Sequence, residues 1–318
     1  MDFSLTADQH ELREVARRYL ADHYPPERIT QVASAGSDIA AWHTLAGLGW
    51  FEAGMVERAL LAEECGYALL PTPWWSALAL PEPPDGPIAM AHGGFSAKAR
   101  SHGGWLVTGT AAGVPDALTA TAFLVSAEGR TFQIAPSACT VTAVAGVDPL
   151  RAGADLSCTD VPAWERPLMD DSFALRSQAV LAAEAVGVAR RACDFAVAYA
   201  RVRSQFGRPA AGFADDLSEV AAGMADCHVL IEIARSLAYK AAWLLDEHDS
   251  DLARIAVAMA TPAARHAAVT TCEKALRVLE PPASDEHPVH HWYRRALWLR
   301  EYGPSDADCL EEIAGTLF

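Results

Sequence analysis

The 318-residue sequence predicts an α+β protein, mostly helical, with a small β-domain set between two helical parts. Three observations predict it. Apolar residues recur at helical spacing in the first part and again beyond Asp171. Between these parts, short Val-, Thr- and Phe-rich runs are separated by Gly, Asp and Ser. Proline clusters punctuate the first boundary, at Pro71-Thr72-Pro73 and at Pro81-Glu82-Pro83-Pro84 with Asp85-Gly86-Pro87. The expected division is an N-terminal helical domain over 1–80, a reduced middle β-barrel domain over 81–170 and a C-terminal helical bundle domain over 171–318.

Taken in order, Leu5-Thr6 precedes a polar–apolar pattern that runs through Leu20, and Ala40–Leu48 and Val56–Leu69 repeat it. In the middle part, Trp105–Thr108, Ala120–Ser126, Thr131–Ala135 and Cys139–Val144 read as strands of a small antiparallel barrel or sandwich. Asp171 or Ser172 can cap a helix from Phe173 to about Gln205. Further helices are expected over roughly Phe213–Asp246, Ser250–Leu279 and His287–Arg300. Their Ala, Val and Leu positions suit packing as a four-helix bundle.

Composition narrows the function classes. Half the residues are apolar and a fifth charged, as in soluble globular proteins. No apolar run reaches the ~20 residues of a membrane helix, and the acidic Asp2 start does not read as a secretion signal. A formal charge of −16 argues against nucleic acid as a main partner but leaves room for a local basic pocket. The seven cysteines are scattered and odd in number, which suits free thiols in a cytoplasmic protein. His287, His290 and His291 lack an acidic or cysteine partner at standard ligand spacing, so no metal site is expected. No G-x-S-x-G elbow accompanies the serines and histidines.

One corner stands apart. A long alanine-rich run from Ser177 ends in Arg203-Ser204-Gln205-Phe206-Gly207-Arg208-Pro209, where Gly and Pro close a helix. Arg203 and Arg208 there either hold an anion or are the solvated arginines of an ordinary αα-turn. Arg-x-Gln-Phe-Gly-x-Pro resembles the signature of the acyl-CoA dehydrogenase family. The resemblance extends to Met1-Asp2-Phe3-Ser4-Leu5-Thr6 with Gln9, Leu12 and Arg13, to Leu45-Ala46-Gly47-Leu48-Gly49-Trp50 and to Gly104-Trp105-Leu106-Val107-Thr108-Gly109. It continues through Ala225-Asp226, Glu232, Ala234-Arg235, Tyr239 and Tyr293-Arg294-Arg295-Ala296. Helices, then strands, then helices is also that family's domain order.

The resemblance implies oxidation of an acyl-CoA thioester to its 2,3-enoyl form, with FAD as cofactor. A carboxylate base removes the C2 proton beside a polarised carbonyl. In much of the family that base lies near the C-terminus, in a context this chain lacks. In another branch it follows the Ala-Arg of the second bundle helix by about three turns, which brings Glu247 into the role of catalytic base. The plain alternative for Glu247 is a solvated charge at a helix C-terminus, beside Asp246, where acidic residues are mildly unfavourable. The resemblance also places Arg203 on the FAD diphosphate across a subunit interface, with Gln205 and Phe206 against the same flavin. A guanidinium fork suits a diphosphate.

Departures from the family pattern are as informative. Leu276 to Pro282 stands where the family has a Gly-Gly loop whose amides approach FAD. Leu279 and Glu280 replace the glycines, and Pro281 and Pro282 remove two donors. In the middle domain the usual flavin and substrate loops are replaced by Ala89–Phe95 and Ala112–Ala117. Short length and lost flavin loops resemble actinobacterial heteromeric acyl-CoA dehydrogenases. Those pair two unlike subunits as α2β2, share each FAD site and often act on steroid side chains. The expectation is one such subunit, with an acyl-CoA substrate, a second acyl-CoA dehydrogenase subunit as partner and no membrane insertion. Two alternatives stand beside it: a flavin-free scaffold subunit, and a fold recruited to another reaction on a CoA- or carrier-bound acyl group.

Overall fold

The structure, a computed structural model, describes residues 5–35, 37–166, 171–202, 204–205, 208–209, 214–247, 250–279 and 289–317. The helices are α1 (Ala7–His23), α2 (Pro26–Ala35), α3 (Ile39–Gly47), α4 (Met55–Ala68), α5 (Trp75–Ala79), α6 (Asp171–Val202), α7 (Ala214–Asp246), α8 (Ser250–Val278), α9 (Val289–Glu301) and α10 (Asp306–Leu317). Strands β1 (Ile88–Ala91), β2 (Gly94–Ala99), β3 (Trp105–Pro115), β4 (Ala122–Ala127), β5 (Arg130–Ile134), β6 (Thr140–Val144) and β7 (Gly153–Glu165) lie between α5 and α6. The class is α+β and mostly helical, as the patterning predicts. Two compact units divide the chain: Met1–Thr30, Gly54–Leu70 and Gln178–Phe318 form one, Gln31–Ala53 and Pro71–Ser177 the other.

The helical unit is built from stripes of small residues. In α7, Met224, Cys227, Ile231, Ala234, Ala238, Ala241 and Leu245 recur every three or four positions and all are buried. Val289, Trp292, Ala296 and Leu299 do the same in α9. In α6, Ala182, Ala183, Ala185, Val186, Val188 and Ala189 are all buried, which marks a helix enclosed on nearly every side. Two glycines set its closest approach. A Cβ on Gly187 of α6 would sit 1.9 Å from the Glu63 carbonyl oxygen, and one on Gly66 of α4 would sit 2.2 Å from that of Glu184. Backbone therefore meets backbone where α4 crosses α6.

Helix α1 starts on a capping box, in which the Gln9 amide donates to the Thr6 hydroxyl and the Thr6 amide to the Gln9 side chain. Helix α4 ends on Leu69, held left-handed at φ 53°, while the Leu70 amide closes onto the Cys65 carbonyl. Before α10, the Arg265 guanidinium donates to the carbonyls of Tyr302 and Pro304 and fixes the turn.

The second unit is a seven-stranded sheet in the order β1-β4-β5-β7-β3-β2, with β6 also paired to β7. Only β1 and β4 run parallel among these pairs. Val107, Phe123, Phe132, Ile134 and Leu156 fill one shared core. Trp74 and Trp75 pack as a buried anchor. The Trp75 indole donates to Asp116 at 2.9 Å, and the Arg151 guanidinium lies over both rings.

The corner after α6 differs from expectation. The helix stops at Val202, and Ser204–Gln205 (β8) pairs antiparallel with Arg208–Pro209 (β9). Pro209 fixes its own φ and drives the residue before it to extended geometry, which suits a short ribbon better than another helical turn.

Candidate functional site

Helix α4 carries two consecutive carboxylates, Glu63 and Glu64, in an otherwise apolar run. Both are buried, at 0 % and 1 % exposure. Arg190 of α6 reaches both, at 2.6 Å each. Arg13 of α1 bridges the same pair at 3.1 and 3.0 Å, and Arg17 adds a contact to Glu64 at 3.0 Å. From α7, Arg235 meets Glu63 at 3.1 Å, and the Tyr239 hydroxyl donates to it at 2.6 Å. The Gly66–Gly187 crossing is what lets Arg190 sit so close to both carboxylates. Arg13, Arg17, Arg190 and Arg235, with Tyr67 and His228, line a cleft of about 370 Å³ above them.

This cluster is a clamp rather than a proton relay. Burial alone would raise the Glu64 pKa, but hydrogen bonds from Arg17, Arg190 and Arg13 overcome it and hold the carboxyl at about 2. So weak a base takes protons poorly. Burial and the Glu63 charge push the Tyr239 phenol up, so it stays protonated and donating. A second buried pair, Glu184 with Arg295, ties α6 to α9 with both side chains fully enclosed. Sequence patterning did not single out Glu63, Glu64 or Arg190. The available signal is the interruption of Leu60–Leu70 by two adjacent carboxylates, and of the alanine-rich α6 by Arg190-Arg191. Arg13, Arg235 and Arg295, which help to carry the family resemblance, prove to be the residues that hold the helical unit together.

The Asp246-Glu247 pair at the end of α7 divides in two. Helix α4 has Gly54 at its N-cap, with no side chain to cap it. Asp246 supplies the cap from another helix: its carboxylate accepts the Met55 amide at 2.8 Å and the Val56 amide at 3.1 Å. That explains an acidic residue at the C-terminal end of α7. Glu247 follows in the turn, its amide donating to the Trp243 carbonyl at 3.0 Å. Its side chain is exposed and makes no hydrogen bond or ion pair among the described residues.

Of the residues expected at the flavin, Gln205 lies in β8, its backbone in register with Arg208. Arg203 and Phe206 lie outside the described residues, as do Glu280, Pro281, Pro282 and His287. Leu279, which the resemblance sets at the place of a family glycine, is 3 % exposed, and its amide donates to the Ala275 carbonyl at 3.4 Å. A buried leucine whose amide is already engaged does not fit a backbone approach to a diphosphate.

Residues 174–316 match the family model of the acyl-CoA dehydrogenase C-terminal domain. The chain is 26 % identical to the acyl-CoA dehydrogenase IpdE2 of Mycobacterium tuberculosis over 90 % of its own length and 89 % of that protein. Four further relatives, 33 % to 40 % identical, align over only 22 % to 29 % of their own length, so the matched part of this chain spans about a quarter of those proteins. Among solved structures, the Tcur3481-Tcur3483 steroid ACAD G363A variant superposes with a TM-score of 0.85 at 23 % identity, covering 98 % of this chain and 97 % of that one. The ChsE4-ChsE5 complex from Mycobacterium tuberculosis gives 0.83 at 22 % identity, covering 100 % and 99 %. At such identities the superpositions establish the fold. No helix among the described residues is long and apolar enough to cross a membrane.

Proposed function

We propose that the chain is a member of the acyl-CoA dehydrogenase family and, within it, one subunit of a heteromeric, FAD-dependent acyl-CoA dehydrogenase. Its partner is a second, unlike subunit of the same family in a cytoplasmic α2β2 assembly. Its substrate is an acyl-CoA thioester with a bulky, steroid-derived acyl group. Two similar structures favour this reading, one of a complex of two named chains and one of a steroid enzyme.

The observation that carries the proposal is the division of Asp246 from Glu247. Asp246 is spent on the cap of α4, while Glu247 is exposed and unpaired among the described residues, free to act on a bound molecule. We assign Glu247 the removal of the C2 proton, made acidic by its neighbouring thioester carbonyl. In desaturation FAD supplies the acceptor for the C3 hydride. Buried Leu279, with its amide engaged, supports a site that lacks a backbone cradle for that group on one side, with the cofactor held jointly. Arg203, Gln205 and Phe206 are this chain's contribution to it.

Leu279 favours one other reading, a flavin-free scaffold that stabilises a catalytic partner. The visible spectrum of the chain, purified alone and with its unlike subunit, separates the two. Joint holding predicts an oxidised-flavin band near ~450 nm in the complex only. A complex without that band would establish the scaffold. In a flavin-loaded complex, Glu247→Gln is expected to lower turnover by about 10²-fold or more, the scale of general-base removal. Unchanged turnover would remove Glu247 as the base.

A further inference from the structure

Two cysteines meet in the sheet unit, neither of them used in the site above. The β6–β7 register pairs Thr140 with Ser157, so Cys139, the residue before β6, stands opposite Cys158. Their sulfurs are 2.9 Å apart, with the Cys158 thiol donating to Cys139. Cys158 is buried at 3 % exposure, whereas Cys139 is only half-buried. The other five cysteines, Cys65, Cys193, Cys227, Cys272 and Cys309, are all buried. Among the described residues, strand β6 pairs with β7 and no other strand, so it is an edge strand held on one side.

We propose that Cys139 and Cys158 form an oxidation site, at which a peroxide converts the two thiols into a disulfide that ties the edge strand β6 to β7. The asymmetry of the pair assigns the roles. The hydrogen bond from Cys158 holds the Cys139 thiol below its usual range, while that same bond and burial push Cys158 up. Cys139 is thus both the more accessible sulfur and the readier thiolate. It attacks one peroxide oxygen: an S–O bond forms, the O–O bond breaks, and the other oxygen leaves as hydroxide, which a proton converts to water. The Cys139 sulfur is now a sulfenic acid, oxidised by two electrons. The Cys158 sulfur then attacks it, so that the S–S bond forms, the S–O bond breaks and a second water leaves with the Cys158 proton. Two thiols and one peroxide give one disulfide and two waters. The sulfurs need approach by less than about 1 Å to reach the disulfide bond length.

Trypsin separates the two cysteines because Arg151 lies between them, so the experiment is direct. The full folded chain is treated with stoichiometric hydrogen peroxide, then unfolded in denaturant, alkylated with a maleimide and digested without reductant. The expected result is the loss of two alkylatable thiols from seven, with one cross-linked peptide joining Cys139 to Cys158 that dithiothreitol releases. In Cys158→Ser, Cys139 is expected to accumulate as a sulfenic acid captured by dimedone, about tenfold or more above any other cysteine. Full alkylation of both residues after peroxide, a cross-link through other cysteines, or no dimedone adduct on Cys139 would each overturn the proposal.

Discussion

Two pairs of adjacent carboxylates in the helical unit meet opposite fates. Glu63 and Glu64 are sunk beneath four guanidiniums and a phenol, so that each oxygen is engaged and the charge is internal to the fold. Asp246 and Glu247 lie at a helix end, where one carboxylate is spent on two amides and the other remains exposed. Residue type is almost the same in the two pairs, so the difference is set by neighbours. A carboxylate becomes architecture when the fold brings cations to it and remains available for chemistry when it does not.

The largest expected effect comes from breaking the first pair. Glu63→Ala leaves Arg190 and Arg235 without their central partner, and loss of one member of a buried ion pair costs about 3–5 kcal/mol. Chemical denaturation would report it, and a loss below about 1 kcal/mol would show that the cluster is decoration. Acid sharpens the same point. The folded pKa of Glu64, at about 2, lies below the ordinary 4.5, so the unfolded chain binds the proton more readily. Its contribution is complete above about pH 4.5 and is lost as pH falls toward 2, on the order of 3 kcal/mol at ~1.4 per unit. Urea midpoints at pH 6 and pH 3 should converge in Glu64→Gln relative to the parent. Equal acid slopes in both would count against the cluster as its source.

The second pair should respond less, and unequally. Asp246→Ala removes the cap of α4 and is expected to cost about 1 kcal/mol. Glu247→Ala should fall within about 0.5 kcal/mol of the parent, as exposed substitutions do. If the two variants lose the same stability, the division between them is not real.

Much of this fold is legible in the sequence. Gly, Pro and apolar periodicity place α7 at Ala214–Asp246 and α8 at Ser250–Val278, within about a residue of expectation. Strand β7 is not legible, although it joins β3, β5 and β6. It carries Pro162 and a register shift opposite Val107–Gly109, where Asp160 turns left-handed at φ 50° and its amide donates to the Thr108 hydroxyl. A bulge breaks the alternation that a strand search relies on. Helix α10 had a readable start in the reciprocal cap of Ser305 and Asp308, but its stripe is weakly buried. At the candidate site, Glu247 is reached by counting turns. The cap made by its neighbour is invisible, because the partner amides lie about 190 residues earlier.

That separation bears on synthesis. Helix α4 leaves the ribosome with its first amides unsatisfied and two acidic side chains that must await Arg190, 127 residues later, and then Asp246, 191 residues after Met55. Until then α1 is the helix it packs against, and an early apolar helix with most of its surface undocked is a natural client for a chaperone. A nascent chain arrested before Arg190 should therefore remain protease-sensitive through α4, however long it waits.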